Sequence, residues 1–199
     1  MRRGAISLAG FAEKFDADAD PWDTWSARYE AVKRGALAKA IGAGRFGRGI
    51  ELAAGNGSNT PMIAQHTRRL IATEGTRSGT ELVRQVAADL PRVRVVHHDV
   101  AARLPGNAFD LIVIAELLYY LGPQPFAMLA AEVSRTLVPG GRLVLLHHAE
   151  NFPDRARSAA RVHRDFMARL GGVPMKKRHR ATARRWRVEA WERGLGVPS

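Results

Sequence analysis

The stretch Glu51-Leu52-Ala53-Ala54-Gly55-Asn56-Gly57-Ser58-Asn59-Thr60 decides the fold, because it joins a short apolar run at residues 49–54 to a segment of helical apolar spacing at 60–69. Glycines at such a strand-to-helix turn let the backbone approach a ligand closely. The helix beyond them offers unpaired N–H groups and the positive end of its dipole. A dinucleotide-binding turn places a third small residue at position 60, where this chain has Thr60. Glu51 points the same way, since a carboxylate near the turn repels a pyrophosphate and suits a cationic ligand.

Outward from that turn, strands and helices alternate. Residues 70–73 read as a second strand, 78–90 as a helix ended by Pro91, and 93–97 as a third strand. Residues 109–115, Phe-Asp-Leu-Ile-Val-Ile-Ala, are too continuously apolar to face water on either side, as in a parallel strand covered by helices on both faces. A helix at 125–137 follows, closed by the stop and turn Val138-Pro-Gly-Gly141, and a fifth strand occupies 142–147. The alternation predicts an α/β chain with a Rossmann-like, doubly wound, mostly parallel sheet. A helix at 20–41 with an aromatic start (Trp22, Trp25, Tyr29) is expected as an N-terminal cap, and another at 154–170. Residues 184–191 alternate weakly, as an edge strand. One domain is expected: a cap over 1–45, a ligand-binding core over 46–150, and a basic C-terminal helix and edge strand over 151–199.

Two further acids sit at strand ends. Glu74, followed by Gly75, closes the second strand, where a carboxylate can accept both ribose hydroxyls of a nucleoside. Asp99 follows the third, where it can accept from an adenine amino group. Three acids and a glycine turn at the carboxyl ends of successive strands form one constellation.

These residues, with Phe109-Asp-Leu-Ile-Val-Ile-Ala115-Glu116-Leu-Leu-Tyr-Tyr-Leu121 and Leu137-Val-Pro-Gly-Gly-Arg-Leu-Val144, resemble the ordered motifs of class I S-adenosylmethionine-dependent methyltransferases. Within that class the chain is similar to the NodS-like N-methyltransferases of chitooligosaccharide nodulation factors. Asp20-Pro-Trp22 and Tyr29-Glu30-x-x-Lys33 resemble that group's N-terminal segment, so the likeness covers residues 20–150. The resemblance implies S-adenosylmethionine as cofactor and S-adenosylhomocysteine as product. It places Glu51, Ala53, Gly55, Asn56, Gly57 and Asn59 around the methionine end, Glu74 and Gly75 at the ribose, and Asp99 with Val100 at the adenine. Ala115 and Glu116 would border the transferred methyl, and Trp22, Tyr29 and Lys33 would close over the cofactor. The chain departs from the family at Ala53, where glycine is usual, and at His147-His148-Ala-Glu150, where the NodS pattern has small residues.

His148, His147 and Glu116 are the candidates for the base that takes a proton from the methyl acceptor, histidine because its pKa lies near neutrality. Strand alternation lets only one of the two histidines face the site; a hydrogen-bonded turn is the plain alternative for the pair. The histidines lack metal-ligand spacing, so no metal is expected. With no cysteine, disulfides and thiol nucleophiles are excluded.

The chain carries +12, unevenly: residues 151–199 hold thirteen basic and four acidic side chains, residues 51–150 nine of each. The expected acceptor is a nitrogen or oxygen of a small molecule, an amino sugar or specialised metabolite, anionic if the run Lys176-Lys-Arg-His-Arg180 anchors it. That run otherwise reads as a solvated loop. The alternatives are an RNA or nucleotide methyltransferase using the basic C-terminal quarter, although an aromatic stacking stripe is missing, and a cofactor-binding protein without catalysis. No membrane span or secretion signal is read, which implies a cytoplasmic protein; the sequence says nothing of oligomeric state.

Overall fold

The computed structural model describes residues 6–149 and 158–195. Seven strands form one sheet in the order β3-β2-β1-β4-β5-β7-β6. The strands are β1 (Phe46–Leu52), β2 (Thr67–Glu74), β3 (Val93–His97), β4 (Phe109–Ala115), β5 (Leu137–His148), β6 (Met175–Thr182) and β7 (Trp186–Arg193). β1 to β5 are mutually parallel; β7 runs antiparallel to both β5 and β6. Among the described residues six helices accompany them: α1 (Leu8–Ala17), α2 (Arg28–Ile41), α3 (Thr60–Gln65), α4 (Arg77–Ala87), α5 (Pro123–Thr136) and α6 (Ala159–Ala168).

The doubly wound sheet expected from the sequence is present, and its central strand explains it. Leu111, Ile112, Val113 and Ile114 of β4 are fully buried. Ile112 and Ile114 pack under α5 and α6, through Phe126, Val133, Val162 and Phe166. Leu111 and Val113 pack under α2 and α3, through Leu37, Ile41 and Ile63. A strand hydrophobic on both sides is stable only between two helical layers. Among the described residues no helix is long and apolar enough to cross a membrane.

Four expectations are corrected. The segment 184–191 is no edge strand: β7 lies between β5 and β6, and its Val188 and Ala190 are buried. The run Lys176–Arg180 is no loop; it forms the true edge, β6, where alternate charged side chains suit an open strand flank. The helix expected from residue 20 begins only at Arg28, because Asp20 accepts from the N–H groups of Thr24 (2.8 Å) and Trp25 (3.0 Å) and so holds residues 20–25 in a turn. The helix expected over 60–69 ends at Gln65, and β2 starts at Thr67. The helix expected over 154–170 is seen as α6; residues 154–157 and Glu150 lie outside the described residues.

The sequence reading missed α1. Ser7 caps it, its hydroxyl accepting from the Gly10 N–H at 3.1 Å, and Leu8, Phe11 and Phe15 recur at helical spacing. That cap and spacing were the available signal.

Candidate active site

The carboxyl ends of β1, β2 and β4 converge on the glycine turn. Gly55 and Gly57 hold φ of +64° and +82°, and a Cβ on Gly57 would come within 3.3 Å of Val86. Ala53 has a left-handed φ of +53°, as does Glu116 at the end of β4. Non-glycine residues in that region are strained by about 1–2 kcal/mol, and such strain collects at functional sites. Ala53→Gly is therefore expected to raise stability by about 1 kcal/mol, the relieved strain less the greater chain entropy of glycine. The denaturant midpoint measures it, and a lower midpoint would show the turn to be unstrained.

Two acids face the turn from below. Glu51, 2% exposed, accepts a 2.7 Å hydrogen bond from the Thr60 hydroxyl. Burial, opposed by Thr60 and reinforced by Glu74, pushes its carboxyl pKa up to about 7. Glu74 accepts from the Gly55 N–H at 3.0 Å through one oxygen, and from the Thr76 N–H and hydroxyl through the other. Burial raises its pKa although those donors oppose it. Among the described residues neither carboxylate has a basic partner. Two buried acids without a cation form a place where a positive ligand is favoured and a pyrophosphate is not.

Glu51 fixes a pH signature. Its folded pKa exceeds its unfolded value, so the stability of the neutral acid is present below about 4.5 and lost as pH rises through about 7. Between about pH 5.5 and 7.5 that loss is about 2 kcal/mol. Glu51→Gln abolishes it, so the variant is expected to gain that much on the wild-type protein over this interval in urea titrations. Equal pH dependence in the two proteins would mean that Glu51 is not buried.

The N-terminal segment lies across the same strand ends. Asn56 donates to Asp20 at 2.8 Å and to the Ala19 carbonyl at 3.2 Å, tying the glycine turn to residues 19–24. Trp22 packs against Phe15 (ring centroids 5.5 Å apart) and Phe11 (5.9 Å), and Phe11 meets Tyr120 edge-on at 4.9 Å. α1 thus spans from the glycine turn, where Phe15 is the nearest neighbour of Gly55, past Gly75, which Leu8 abuts, to the loop after β4. Asn59 precedes α3 without capping it through its side chain. Asp99 is exposed and accepts from the Ala101 N–H at 2.9 Å, while Val100 packs on the core beneath.

The second half of the site surrounds Glu116. Its carboxylate accepts from Lys33 Nζ (2.9 Å), from the His148 N–H (2.9 Å) and from the Tyr119 hydroxyl. Lys33 is 5% exposed and also pairs with Glu30 at 2.7 Å. Burial disfavours its charge, but Glu116 and Glu30 outweigh that and raise its pKa. Lys33 therefore lies beneath Glu116. Ala115, half-buried, ends β4 beside it. Tyr29 donates to the Arg185 carbonyl at 3.1 Å, stands 3.0 Å from His148 Nδ1 and stacks with the Arg185 guanidinium at 4.2 Å. Arg185 was not foreseen, because its approach depends on the chain returning through β7.

His147 and His148 separate as alternation requires. His147, expected as a candidate base, faces the opposite side, fully buried. Its Nε2 accepts from the Leu118 N–H at 3.0 Å, so its proton is on Nδ1, which donates to His163 Nε2 at 2.9 Å. His163 Nδ1 then donates to Glu189 at 3.0 Å. Burial depresses the pKa of both rings, that of His147 further through His163 and Lys33. His147 is thus a structural brace for the turn after β4, and His148, partly exposed at the tip of β5, is the histidine at the site. Among the described residues no group of three or more His, Asp or Glu side chains is placed to hold a metal ion.

Comparison with known proteins fits this geometry. The methyltransferase-domain family matches residues 50–141. Over those residues the chain is similar to a methyltransferase domain, and the fold around them is that of class I methyltransferases. Within that class it is similar to the NodS group: Nodulation protein S of Rhizobium tropici is 29% identical over 127 residues, 63% of this chain and 53% of that protein. The chain thus spans about half the length of this curated relative. The crystal structure of N-methyltransferase NodS from Bradyrhizobium japonicum WM9 in complex with S-adenosylhomocysteine superposes with a TM-score of 0.76 at 19% identity, covering 92% of this chain and 98% of that one. A putative methyltransferase from Pseudomonas syringae superposes with a TM-score of 0.70 at 25% identity, over 84% of this chain and all of the other.

Proposed function

We propose that the chain is an S-adenosylmethionine-dependent methyltransferase whose acceptor is a nitrogen of a small molecule, with the described residues folded as one domain. The observation that carries this reading is the pair of buried, cation-free acids, Glu51 and Glu74, under a positive-φ glycine turn at the tips of a parallel sheet. The NodS relatives support the same cofactor and a nitrogen acceptor.

When bound, S-adenosylmethionine would supply a methyl group on a cationic sulfonium, open to in-line attack by the acceptor. Glu51, Gly55, Gly57 and Asn59 would hold its methionine end, Glu74 and Gly75 its ribose, and Asp99 and Val100 its adenine. Trp22 and α1 would cover it. The chain's main task is alignment, which lowers such barriers by roughly 7–11 kcal/mol.

His148 is the proposed base. Its ring is held at the tip of β5 by the Tyr29 hydroxyl, 3.0 Å from Nδ1, which also reaches the Arg185 carbonyl at 3.1 Å. Glu116, with three donors already on its carboxylate, is a positioning group: it holds the His148 backbone and Lys33 and orients a cationic amine. Glu30 and Glu116 share the ammonium of Lys33, and the Arg185 guanidinium stands on the Tyr29 ring nearby, so this wall carries both signs. Part of the basic C-terminal quarter is engaged within the chain, Lys177 and Arg187 with Glu189 and Arg178 with Glu192, which makes an RNA acceptor the second reading.

The test is incubation with methyl-labelled cofactor and a panel of amino sugars, simple amines, alcohols and RNA. Transfer to an amine supports the reading. Transfer only to RNA, or tight cofactor binding with transfer to none of them, overturns it.

A further inference from the structure

The sheet is covered unevenly. On the α5–α6 side those helices lie over β4, β5 and the adjoining part of β1, but the connection from β3 to β4, residues 98–108, contains no helix. The amino-terminal ends of β1, β2 and β3 are therefore open on that side, far from the glycine turn, which lies at their carboxyl ends. A cavity of about 470 Å³ occupies the gap, walled by Pro91, Pro105 and Gly106.

Its other lining is arginine: Arg48, Arg69, Arg92 and Arg94. Register puts three of them on one face. Arg48 lies directly opposite Arg69 across β1 and β2, and Arg94 pairs with Ile71, two residues beyond Arg69 on the same side. Like charges placed opposite each other on a sheet are destabilising. All four are exposed, and among the described residues none of the four guanidiniums has an acidic partner. The acid closest in register, Asp110 at the start of β4, accepts instead from the N–H groups of Gly47 (2.6 Å) and Arg48 (2.8 Å). Some of the chain's other arginines and lysines do have acidic partners: Arg142 and Arg178 pair with Glu192, Arg135 with Glu132 and Lys177 with Glu189.

We propose that this groove binds a small ligand bearing two or more adjacent phosphate groups, an oligophosphate or a nucleoside oligophosphate. Guanidiniums match phosphate oxygens in bidentate pairs, and four converging on one cavity fit several linked phosphates. The cavity has the volume of a small-molecule site. No aromatic ring lines it for base stacking, which separates it from a single-stranded nucleic acid platform. The site is distinct from the proposed methyl-transfer centre and stands or falls without it.

The experiment is a calorimetric titration of the full chain with inorganic tripolyphosphate, repeated with a short single-stranded oligonucleotide. Arg69→Gln/Arg94→Gln serves as the deficient variant and Arg69→Lys/Arg94→Lys as the charge-preserving one. Tripolyphosphate is expected to bind at low salt, weaken steeply as salt rises, and lose at least tenfold in affinity in the glutamine variant and less in the lysine variant. Far-UV circular dichroism and a cooperative thermal unfolding transition, retained in both variants, verify that they are folded. Absence of tripolyphosphate binding, equal affinity in the glutamine variant, or tighter binding of the oligonucleotide would overturn the proposal.

Discussion

Converting His148 to alanine is expected to lower the methyl-transfer rate by roughly 10²- to 10⁴-fold at neutral pH, the range for loss of a positioned general base, with cofactor affinity little changed. The variant isolates the ring, because the contact that fixes Glu116 here comes from the His148 backbone N–H and survives the substitution. The Tyr29 hydroxyl keeps its acceptor, the Arg185 carbonyl. Single-turnover rates with saturating cofactor are the measurement, and a rate within twofold of wild type would remove His148 from the chemistry. His147→Ala is the instructive contrast: it strips the acceptor from the Leu118 N–H and breaks the line to His163 and Glu189, so its loss falls on folding.

Glu74→Ala is expected to weaken S-adenosylhomocysteine binding at least tenfold, since one charge-assisted hydrogen bond contributes more than about 1.4 kcal/mol. The effect has two sources. The carboxylate organises the turn through the N–H groups of Gly55 and Thr76, and it ends β2 where a ribose would lie. Glu74→Gln keeps only part of the first, because its single carbonyl oxygen can accept from Gly55 or from Thr76 while the amide N–H2 faces the other donor. Unaltered binding in Glu74→Ala would place the nucleoside elsewhere.

The parallel core was legible because its strands are buried on both faces and their apolar runs have no other explanation: Leu111 to Ile114 announce the middle of a sandwich. The glycine turn and the acids at strand ends were legible for a related reason, since position after a strand fixes which end of the sheet a residue occupies. What failed depended on contacts between distant segments. β6 carries Lys176, Lys177, Arg178 and Arg180 on an open flank, and its ion pairs to β7 make a strand from residues whose local preference is a loop. Alternation limited the site to one of His147 and His148, but which one required knowing that His163 waits beneath β5. Lys33 was read as part of a cover; only the approach of Glu116 across 83 residues shows it buried beneath the site. Ala53 was visible as a departure from the related pattern, whereas its left-handed backbone was not.

The most direct measurement is a calorimetric titration of the full chain with S-adenosylmethionine, S-adenosylhomocysteine and NAD at a pH above 7, where Glu51 is ionised. Buried acids gripping a sulfonium nucleoside predict saturable binding of both adenosyl ligands, with the cationic one losing more affinity in Glu51→Gln, and no binding of the pyrophosphate-bearing dinucleotide. Binding of NAD in place of the adenosyl ligands would contradict it.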